Sequence, residues 1–322
     1  MSGMAPSSND PPYPIACPPV LLLGFNRPDT TRVVLQALKR VRPGRLFFAV
    51  DGPREGVPGE VERVDDVRAL SSEIDWGCET KTLFRSSNRG CKLAVSEAIT
   101  WFFDQVDAGV IMEDDCVPDP SFFPFATELL ERYAHENRVF LVSGNNFQKT
   151  HRTEFSYYFS RYAHIWGWAS WRRAWQHYDH KMSAWPRLRD SGWLDDQLGD
   201  RHAVRYWTRI FDETNLERNS SWGYRWLFSC WSNSGLAIHP SVNLVSNIGF
   251  GVHATHTTDQ KSGLANMRTA SMAFPLKHPP FVHRDVLADR FTQKHVYSAP
   301  SFFRRAIKKV VSVVRQLFPS KQ

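Results

Sequence analysis

The sequence lacks the marks of several classes of protein. Its five cysteines form no Cys-x-x-Cys pair, which argues against a structural zinc site or a disulfide framework and indicates reduced thiols in a cytoplasmic protein. No apolar run approaches 18 residues, so no segment is predicted to span a membrane. The first residues have neither a basic start nor an apolar core, so residues 1–17 predict a disordered leader and not a signal peptide.

Most of the chain also lacks net charge. The 40 lysines and arginines exceed the 33 acids by 7, and residues 301–322 hold six of the bases and no acid. Residues 1–300 therefore carry a net charge of only +1. Because nucleic-acid binding surfaces neutralise many phosphates at once, we expect no nucleic-acid partner.

What the chain does contain is a series of short apolar runs separated by helical patterns. VLLLGF at 20–25, LFFAV at 46–50 and GVIM at 109–112 are typical of strands buried on both faces. Amphipathic segments lie between them. Strands that alternate with helices predict an α/β fold, a mostly parallel sheet flanked by helices.

Polar residues follow the predicted strands directly. Arg27 follows the first strand, Asp51 the second, and the acidic triplet 113–115 the strand GVIM. In open α/β sheets ligands bind beyond the carboxyl ends of the strands, so we expect these side chains to lie together. Adjacent carboxylates repel one another, and a divalent cation that also binds substrate phosphates would relieve that repulsion. The alternative is a solvated acidic turn.

Several motifs resemble one family. The run GVIMEDDCVPDPSFF is similar to the nucleotide-sugar-binding strand, with its DXD-like motif, of glycosyltransferases with the GT-A fold. VLLLGFNRP, DGP, NRGCKLAVSEAI, HIWGWASWRRAW and NLVSNIGFG followed by ATHT resemble bacterial glycosyltransferase-like proteins related to N-acetylglucosaminyltransferase I. The resemblance spans about residues 18–258 and implies a GT-A-type, Rossmann-like domain, with a donor half at about 18–145 and an acceptor half at about 146–258.

The resemblance implies a role for each residue of the acidic triplet. Asp115 would coordinate Mn²⁺ or Mg²⁺ bound to the donor diphosphate, Asp114 would contact the donor ribose, and Glu113 would act through water. Arg27 and Asp51 would line the nucleoside end. Taken alone, Arg27 is an ordinary loop residue and Asp51 an ordinary turn residue.

The family pattern also implies contacts from the later part of the chain. His256 in ATHT would complete the metal shell or touch a phosphate, with His253 as a competing candidate. Ser246 and Asn247 in LVSNIG would contact phosphate oxygens.

Tryptophan is concentrated in one region, with ten of the 12 lying between Trp166 and Trp231. The spacing of Trp168, Trp171 and Trp175 matches one face of a helix, which favours a core helix. A tryptophan face also suits the C–H face of a hexose, so Trp166 and Trp168 are candidates for the acceptor site.

The general base of an inverting transferase is missing from its expected place. The resembling enzymes carry a carboxylate after a tryptophan, where this chain has Gly223 in SSWGYRW. Asp196 and Asp195 in GWLDDQ are the substitutes we consider first, and a retaining mechanism is not excluded.

The end of the chain predicts a basic amphipathic helix over residues 301–318, after a loop-rich extension at 259–300. Its apolar residues recur at helical spacing and its bases occupy the other face. The pattern favours binding to an anionic membrane surface, and packing on the body of the protein is the alternative.

Together these features predict a metal-dependent glycosyltransferase, a hexosyl- or N-acetylhexosaminyltransferase for which the family pattern implies inversion. It would move a sugar from a nucleotide-diphosphate sugar to a saccharide or lipid-linked saccharide in bacterial surface polysaccharide or lipopolysaccharide synthesis, on the inner face of the cell membrane. The alternatives are a weakened relative that only binds sugars or nucleotide sugars, and a nucleotidyltransferase.

Overall fold

The computed structural model describes residues 17–150, 152–250 and 263–297. In these ranges it contains one large sheet and one two-stranded sheet. The strands are β1 (Val20–Gly24), β2 (Arg45–Val50), β3 (Glu79–Phe84), β4 (Ala108–Glu113), β5 (Cys116–Pro118), β6 (Val139–Ser143), β7 (Tyr157–Ser160), β8 (Trp168–Trp171), β9 (Leu236–Pro240) and β10 (Val245–Asn247).

Helices cover both faces of the large sheet. They are α1 (Pro28–Val41), α2 (Glu60–Ala69), α3 (Gly90–Phe103), α4 (Phe122–Arg132), α5 (Arg172–Trp175), α6 (Trp185–Leu188), α7 (Trp193–Leu198), α8 (Arg201–Asn215), α9 (Trp222–Ser232) and α10 (Val286–His295). A 3-10 turn at Leu70–Glu73 extends α2.

The large sheet has the strand order β3-β2-β1-β4-β8-β6-β9-β7. The first four strands of this order are all parallel, whereas β8 runs antiparallel to both of its neighbours and β7 antiparallel to β9. The predicted α/β class, a mostly parallel sheet flanked by helices, is therefore confirmed. Strand order reverses beside β1, since β2 lies on one side of it and β4 on the other, and such a point opens a crevice for ligands.

Successive side chains of a strand point to opposite faces of the sheet, so the core has two layers. Leu22 packs in the layer with α1, whereas its neighbour Leu21 packs in the layer with α3. Both side chains are fully buried. Strands buried on both faces explain why the sequence reads as continuous apolar runs at these positions.

The small sheet positions the later part of the chain against the acidic triplet. Strand β10 pairs antiparallel with β5, and Asn247 lies opposite Cys116. Only two residues separate the end of β4 from the start of β5. The turn between β4 and β5 therefore carries Asp114 and Asp115 directly beside β10.

Two expectations about secondary structure are corrected. The segment with Trp168 and Trp171 is strand β8, not a helix, and only its continuation to Trp175 is a short helix. The side chains of Trp168 and Trp171 lie on opposite faces of β8, so they pack in different layers of the core. Helix α10 was not predicted, because its segment is polar and follows several prolines.

Candidate active site

Arg27 binds two carboxylates of the acidic triplet. It follows β1 and precedes α1, and its guanidinium donates to both carboxylate oxygens of Asp114. The same guanidinium lies 3.0 Å from Oδ2 of Asp115. Both aspartates are almost fully buried. The ends of β1 and β4 are thus joined by a charge-assisted bridge, the kind of bond that is short and directional.

Asp51 holds the beginning of α3. It follows β2, and its carboxylate accepts hydrogen bonds from the backbone N–H of Gly52 at 2.9 Å and of Arg89 at 3.0 Å. The Asn88 amide donates to it at 3.0 Å. The motif NRG is therefore a loop that carries α3 to the same edge of the sheet as Arg27. Burial raises the pKa of Asp51, and the backbone bonds oppose that rise.

The Asp115 carboxylate is enclosed from the side opposite Arg27. Asn247 Nδ2 donates to Asp115 Oδ1 at 3.2 Å, and Ile248 N donates to the Asp115 carbonyl at 2.8 Å. A methyl group added to Gly249 would lie 1.9 Å from Asp115 Oδ2. Only a glycine leaves room for the carboxylate there. Ser246 lies on β10 next to Asn247 and is partly exposed.

Negative charge in this cluster exceeds positive charge. Burial and the carboxylates of Asp115 and Asp114 raise the pKa of Glu113 well above its usual range. Burial also raises the pKa of Asp114, although Arg27 opposes the rise. One guanidinium thus contacts two of the three acids, and a further cation would relieve the remaining repulsion.

The oxygen donors fit a small divalent cation bound partly by substrate. Among the described residues no group of three or more His, Cys, Asp and Glu side chains is placed to hold a metal ion. Mg²⁺ and Mn²⁺, however, commonly use one or two carboxylates together with waters and substrate phosphates. Asp115 and Asp114 can supply those carboxylates if Arg27 releases them.

A second polar cluster at this edge was missed by the sequence analysis. Glu60, at the start of α2, is fully buried and accepts from Asn26 Nδ2 at 2.8 Å and from Arg54 Nε at 2.9 Å. The Arg54 guanidinium also lies over the ring of Phe25, 5.6 Å from its centroid. These contacts fix the loops after β1 and β2. The segment DGPREGVPGE at 51–60 contains both Arg54 and Glu60, but nothing in it indicated that Glu60 would be buried.

The two candidate acceptor tryptophans differ sharply. Trp168 has no exposed surface and packs against Trp175, Trp222 and Trp226 in the core, so the expectation that it contacts an acceptor is corrected. Trp166 is partly exposed, and its ring is held edge-on by Phe147 and Phe250 at 5.3 and 5.5 Å.

Trp166 lies close to the end of β4. A methyl group added to the next residue, Gly167, would approach Val245 at 2.9 Å and Met112 Sδ at 3.2 Å. Met112 directly precedes Glu113. The ring of Trp166 is therefore carried by a loop that abuts the strand bearing the acidic triplet.

Gly223 lies in the first turn of α9, and a methyl group there would be 2.6 Å from Ile165 Cδ1. The position thus faces the residue before Trp166. Asp195 and Asp196 lie in α7, and both side chains are exposed. Within the described ranges, no hydrogen bond or ion pair joins either of them to the acidic triplet.

Three expectations concern residues outside the described ranges. They are the metal or phosphate contact of His256, the competing role of His253, and the basic helix over 301–318. The leader at 1–17 is described only at Cys17.

Comparison with known proteins found matches among solved structures but no match by sequence. No protein-family model matches the chain, and no curated protein matches it. The mannosyltransferase PcManGT from Pyrobaculum calidifontis, solved in complex with GDP-Man and Mn2+, is 10% identical, with 70% of this chain and 72% of that chain covered and a TM-score of 0.31.

Two further solved structures have similar values. Mouse xyloside xylosyltransferase 1, in its apo form, is 11% identical, covers 66% of this chain and 80% of its own, and has a TM-score of 0.30. HddC from Yersinia pseudotuberculosis is 9% identical, covers 51% and 80%, and has a TM-score of 0.31. Two of these three proteins are glycosyltransferases by name.

Proposed function

We propose that the chain transfers a sugar from a nucleotide-diphosphate sugar to a saccharide acceptor. The observation that carries the proposal is the convergence of Arg27, Asp51 and the triplet 113–115 at the carboxyl ends of β1, β2 and β4. These ends flank the point where strand order reverses. A crevice with acidic and basic side chains there suits a nucleotide with its phosphates.

In this proposal each residue of the site contacts a different part of the donor. Asp51 and Arg27 bind the nucleoside end, Asp114 binds the ribose, and Glu113 acts through a bound water. Ser246, on β10, donates its hydroxyl to the phosphates. Asp51 is fixed in this position by the backbone N–H of Arg89, the residue directly before α3.

The cofactor in this proposal is Mn²⁺ or Mg²⁺, held by Asp115 with His256 as a further ligand. When bound, the cation neutralises the charge that develops on the leaving diphosphate. Burial and neighbouring carboxylates raise the pKa of Glu113 and of Asp114, and a bound cation would favour the ionised forms of both, which supports a cation at this place. Until a cation binds, Arg27 bridges the carboxylates of Asp114 and Asp115.

The acceptor side of the proposal centres on Trp166. Its partly exposed ring, fixed by Phe147 and Phe250, offers a face for a sugar ring beside β4. A hexosyl or N-acetylhexosaminyl group would be transferred with inversion. Asp196 and Asp195, both exposed on α7, are our proposals for the base.

The place of the reaction is also part of the proposal. The basic pattern of residues 301–318 supports binding to the anionic inner face of the cell membrane, from the cytoplasm, with a lipid-linked saccharide as acceptor in surface polysaccharide synthesis. None of the described helices is long and apolar enough to cross a membrane.

A thermal-shift screen of nucleotide-diphosphate sugars, each with and without Mn²⁺, tests the proposal directly. We expect one nucleotide class to raise the melting temperature only in the presence of the metal, because binding to the native state alone stabilises it. Absence of any shift across uridine, guanosine, cytidine and thymidine donors at millimolar concentration would refute the proposal.

Gly223 favours a second candidate, a relative that binds the donor but has lost its base. Position 223 faces Ile165 beside Trp166, where a carboxylate could reach an acceptor. The double substitution Gly223→Asp with Ile165→Ala makes room for that carboxylate. If the chain is a weakened enzyme, the double variant should gain donor turnover over wild type and over Ile165→Ala alone. Equal turnover in all three would reject this candidate.

A further inference from the structure

A short stretch of the chain holds much of its exposed large apolar surface. Phe281 is 70% exposed, Leu287 60%, Phe274 45% and Val286 40%. These are four of the eight exposed large hydrophobic side chains among the described residues, and they lie within 14 positions. Single exposed apolar residues are common, but a concentration of them indicates an interaction surface.

This stretch runs along the edge of the large sheet. Strand β7 is the last strand of the order, and the stretch contacts it at both ends: Lys277 N donates to Ser156 Oγ, and Asp285 N donates to the carbonyl of Phe159. Arg284 forms a bridge with Phe159. The backbone is thus fixed to the sheet, while Phe281 projects from it.

The exposed part of α10 adds positive charge to the same surface. Leu287, Arg290 and Lys294 are exposed and lie three to four residues apart, so they share one face of the helix. The opposite face, with Ala288 and Thr292, is buried.

The acids of this region are used internally. Asp289 is buried and binds Arg161 and Arg284, and the Asp285 carboxylate caps α10 through the N–H groups of Leu287 and Ala288. The only acid within α10, Asp289, is thus buried, whereas the bases Arg290 and Lys294 of the same helix are exposed.

We propose that the surface formed by Phe281, Val286, Leu287, Arg290 and Lys294 docks on an anionic lipid bilayer. The apolar side chains enter the interfacial region, and the two bases contact acidic headgroups. Apolar side chains that enter the interface, with bases near enough to reach acidic headgroups, are the combination that binds such membranes. The described part of the chain ends at Tyr297, four positions before the basic segment 301–318 begins, so the surface and that segment are close in the sequence.

Hydrogen exchange of the full chain, with and without vesicles containing phosphatidylglycerol, tests the proposal. We expect amides in 281–290 to become protected on the acidic vesicles and to stay unchanged on pure phosphatidylcholine. Amides around Val61, which is 52% exposed but flanked by Glu60 and Glu62, should not respond to either. No added protection in 281–290 on acidic vesicles would overturn the proposal.

Vesicle sedimentation of matched variants gives an independent measure. The double variant Phe281→Ser/Leu287→Ser should bind acidic vesicles about tenfold or more weakly, since two large apolar groups no longer enter the bilayer. The control Val61→Ser/Leu216→Ser should bind like wild type. If the patch variant binds like wild type but melts at a lower temperature, another part of the chain covers the patch, and the proposal fails.

Discussion

The oxygens of Asp115 are contacted from two directions by residues far apart in the sequence. Arg27 approaches Oδ2, and Asn247 donates to Oδ1. Gly249 lies so close to Oδ2 that no side chain fits between them. A cation that binds here must therefore compete with the guanidinium of Arg27. Arg27 would then have two effects: it stabilises the carboxylates by bridging them, and it opposes metal binding.

Replacing Arg27 separates these effects. Arg27→Gln should tighten Mn²⁺ binding in the absence of nucleotide by about tenfold, because the loss of one charge-assisted bond frees the carboxylates. Nucleotide-sugar binding should weaken in the same variant. Calorimetry of both ligands measures the two effects, with Arg32→Gln, an exposed partner of Glu73, as the control. Weaker Mn²⁺ binding by Arg27→Gln would contradict the competition.

Gly249 provides a test that changes no charge. In Gly249→Ala the new methyl group must displace the Asp115 carboxylate, so Mn²⁺ and donor binding should fall at least tenfold while the fold is kept. Gly44→Ala is the matched control, since nothing lies within 4 Å of the added methyl group. Calorimetry with both variants and circular dichroism of each would give the comparison. Equal binding by the two variants would show that the carboxylate position is unimportant.

Part of this site could be predicted from the sequence, and the reason is local. Arg27, Asp51 and the triplet each follow an apolar run, and the carboxyl ends of parallel strands meet at one edge. Ser246 and Asn247 were suggested only by resemblance, and Gly249 was missed. Their position depends on the pairing of β10 with β5, which joins residues about 130 positions apart and leaves no local signal.

At the scale of elements, β8 and α2 are instructive. The tryptophan spacing in WGWASW fits a helix, but the segment pairs with β4 and β6 as a central strand, because tertiary packing overrides a weak local preference. The burial of Glu60, the first residue of α2, was not predicted either. The carboxylate of Glu60 is buried because Arg54 and Asn26, from two other loops, satisfy it.

Glu60 also predicts a dependence of stability on pH. The hydrogen bonds from Arg54 lower the pKa of Glu60 from 4.5 to about 2. As the pH falls, Glu60 is therefore protonated in the unfolded chain before it is protonated in the folded protein. The stabilisation of the fold by the Glu60 carboxylate is complete above pH 4.5 and is lost as the pH falls toward 2. Glu60→Gln should lower the free energy of unfolding by about 2 kcal/mol at pH 7.

Urea unfolding at pH 7 and pH 3 checks this expectation. The difference between wild type and Glu60→Gln should shrink at the lower pH, because protonation removes the same interaction in wild type. Glu73→Gln, which changes an exposed acid, should differ little from wild type at either pH. If the free energies of unfolding of wild type and Glu60→Gln differ as much at pH 3 as at pH 7, the stabilisation does not come from the ionised carboxylate of Glu60.

At the scale of the whole molecule, charge and aromatic content are distributed unevenly. The net charge of +7 belongs almost entirely to residues 301–322, and tryptophan belongs to the second half of the described fold. The acidic triplet is an excess of negative charge at one edge of a nearly neutral body. Metal binding should therefore affect the stability of the entire domain, since Arg27 and these carboxylates join the ends of the adjacent strands β1 and β4.

Thermal unfolding should reveal that link as a function of pH. Mn²⁺ should raise the melting temperature more at pH 8 than at pH 5.5, because protonated carboxylates bind no cation and burial raises the pKa of both Glu113 and Asp114. Differential scanning fluorimetry with Mn²⁺ and with an equal concentration of Na⁺ separates the specific effect from ionic strength. A Mn²⁺ shift that is larger at pH 5.5 would contradict the assignment of these acids.

The central claim is that Asp115 holds the cation that binds the donor diphosphate, and calorimetry of Asp115→Asn tests it most directly. Asn keeps the shape of the side chain and removes its charge, and Asp75→Asn, an exposed partner of Lys39, is the control. We predict that a nucleotide-diphosphate sugar binds wild type and Asp75→Asn with Mn²⁺, and binds Asp115→Asn at least a hundredfold more weakly. Unchanged binding of both Mn²⁺ and donor by Asp115→Asn would contradict the account.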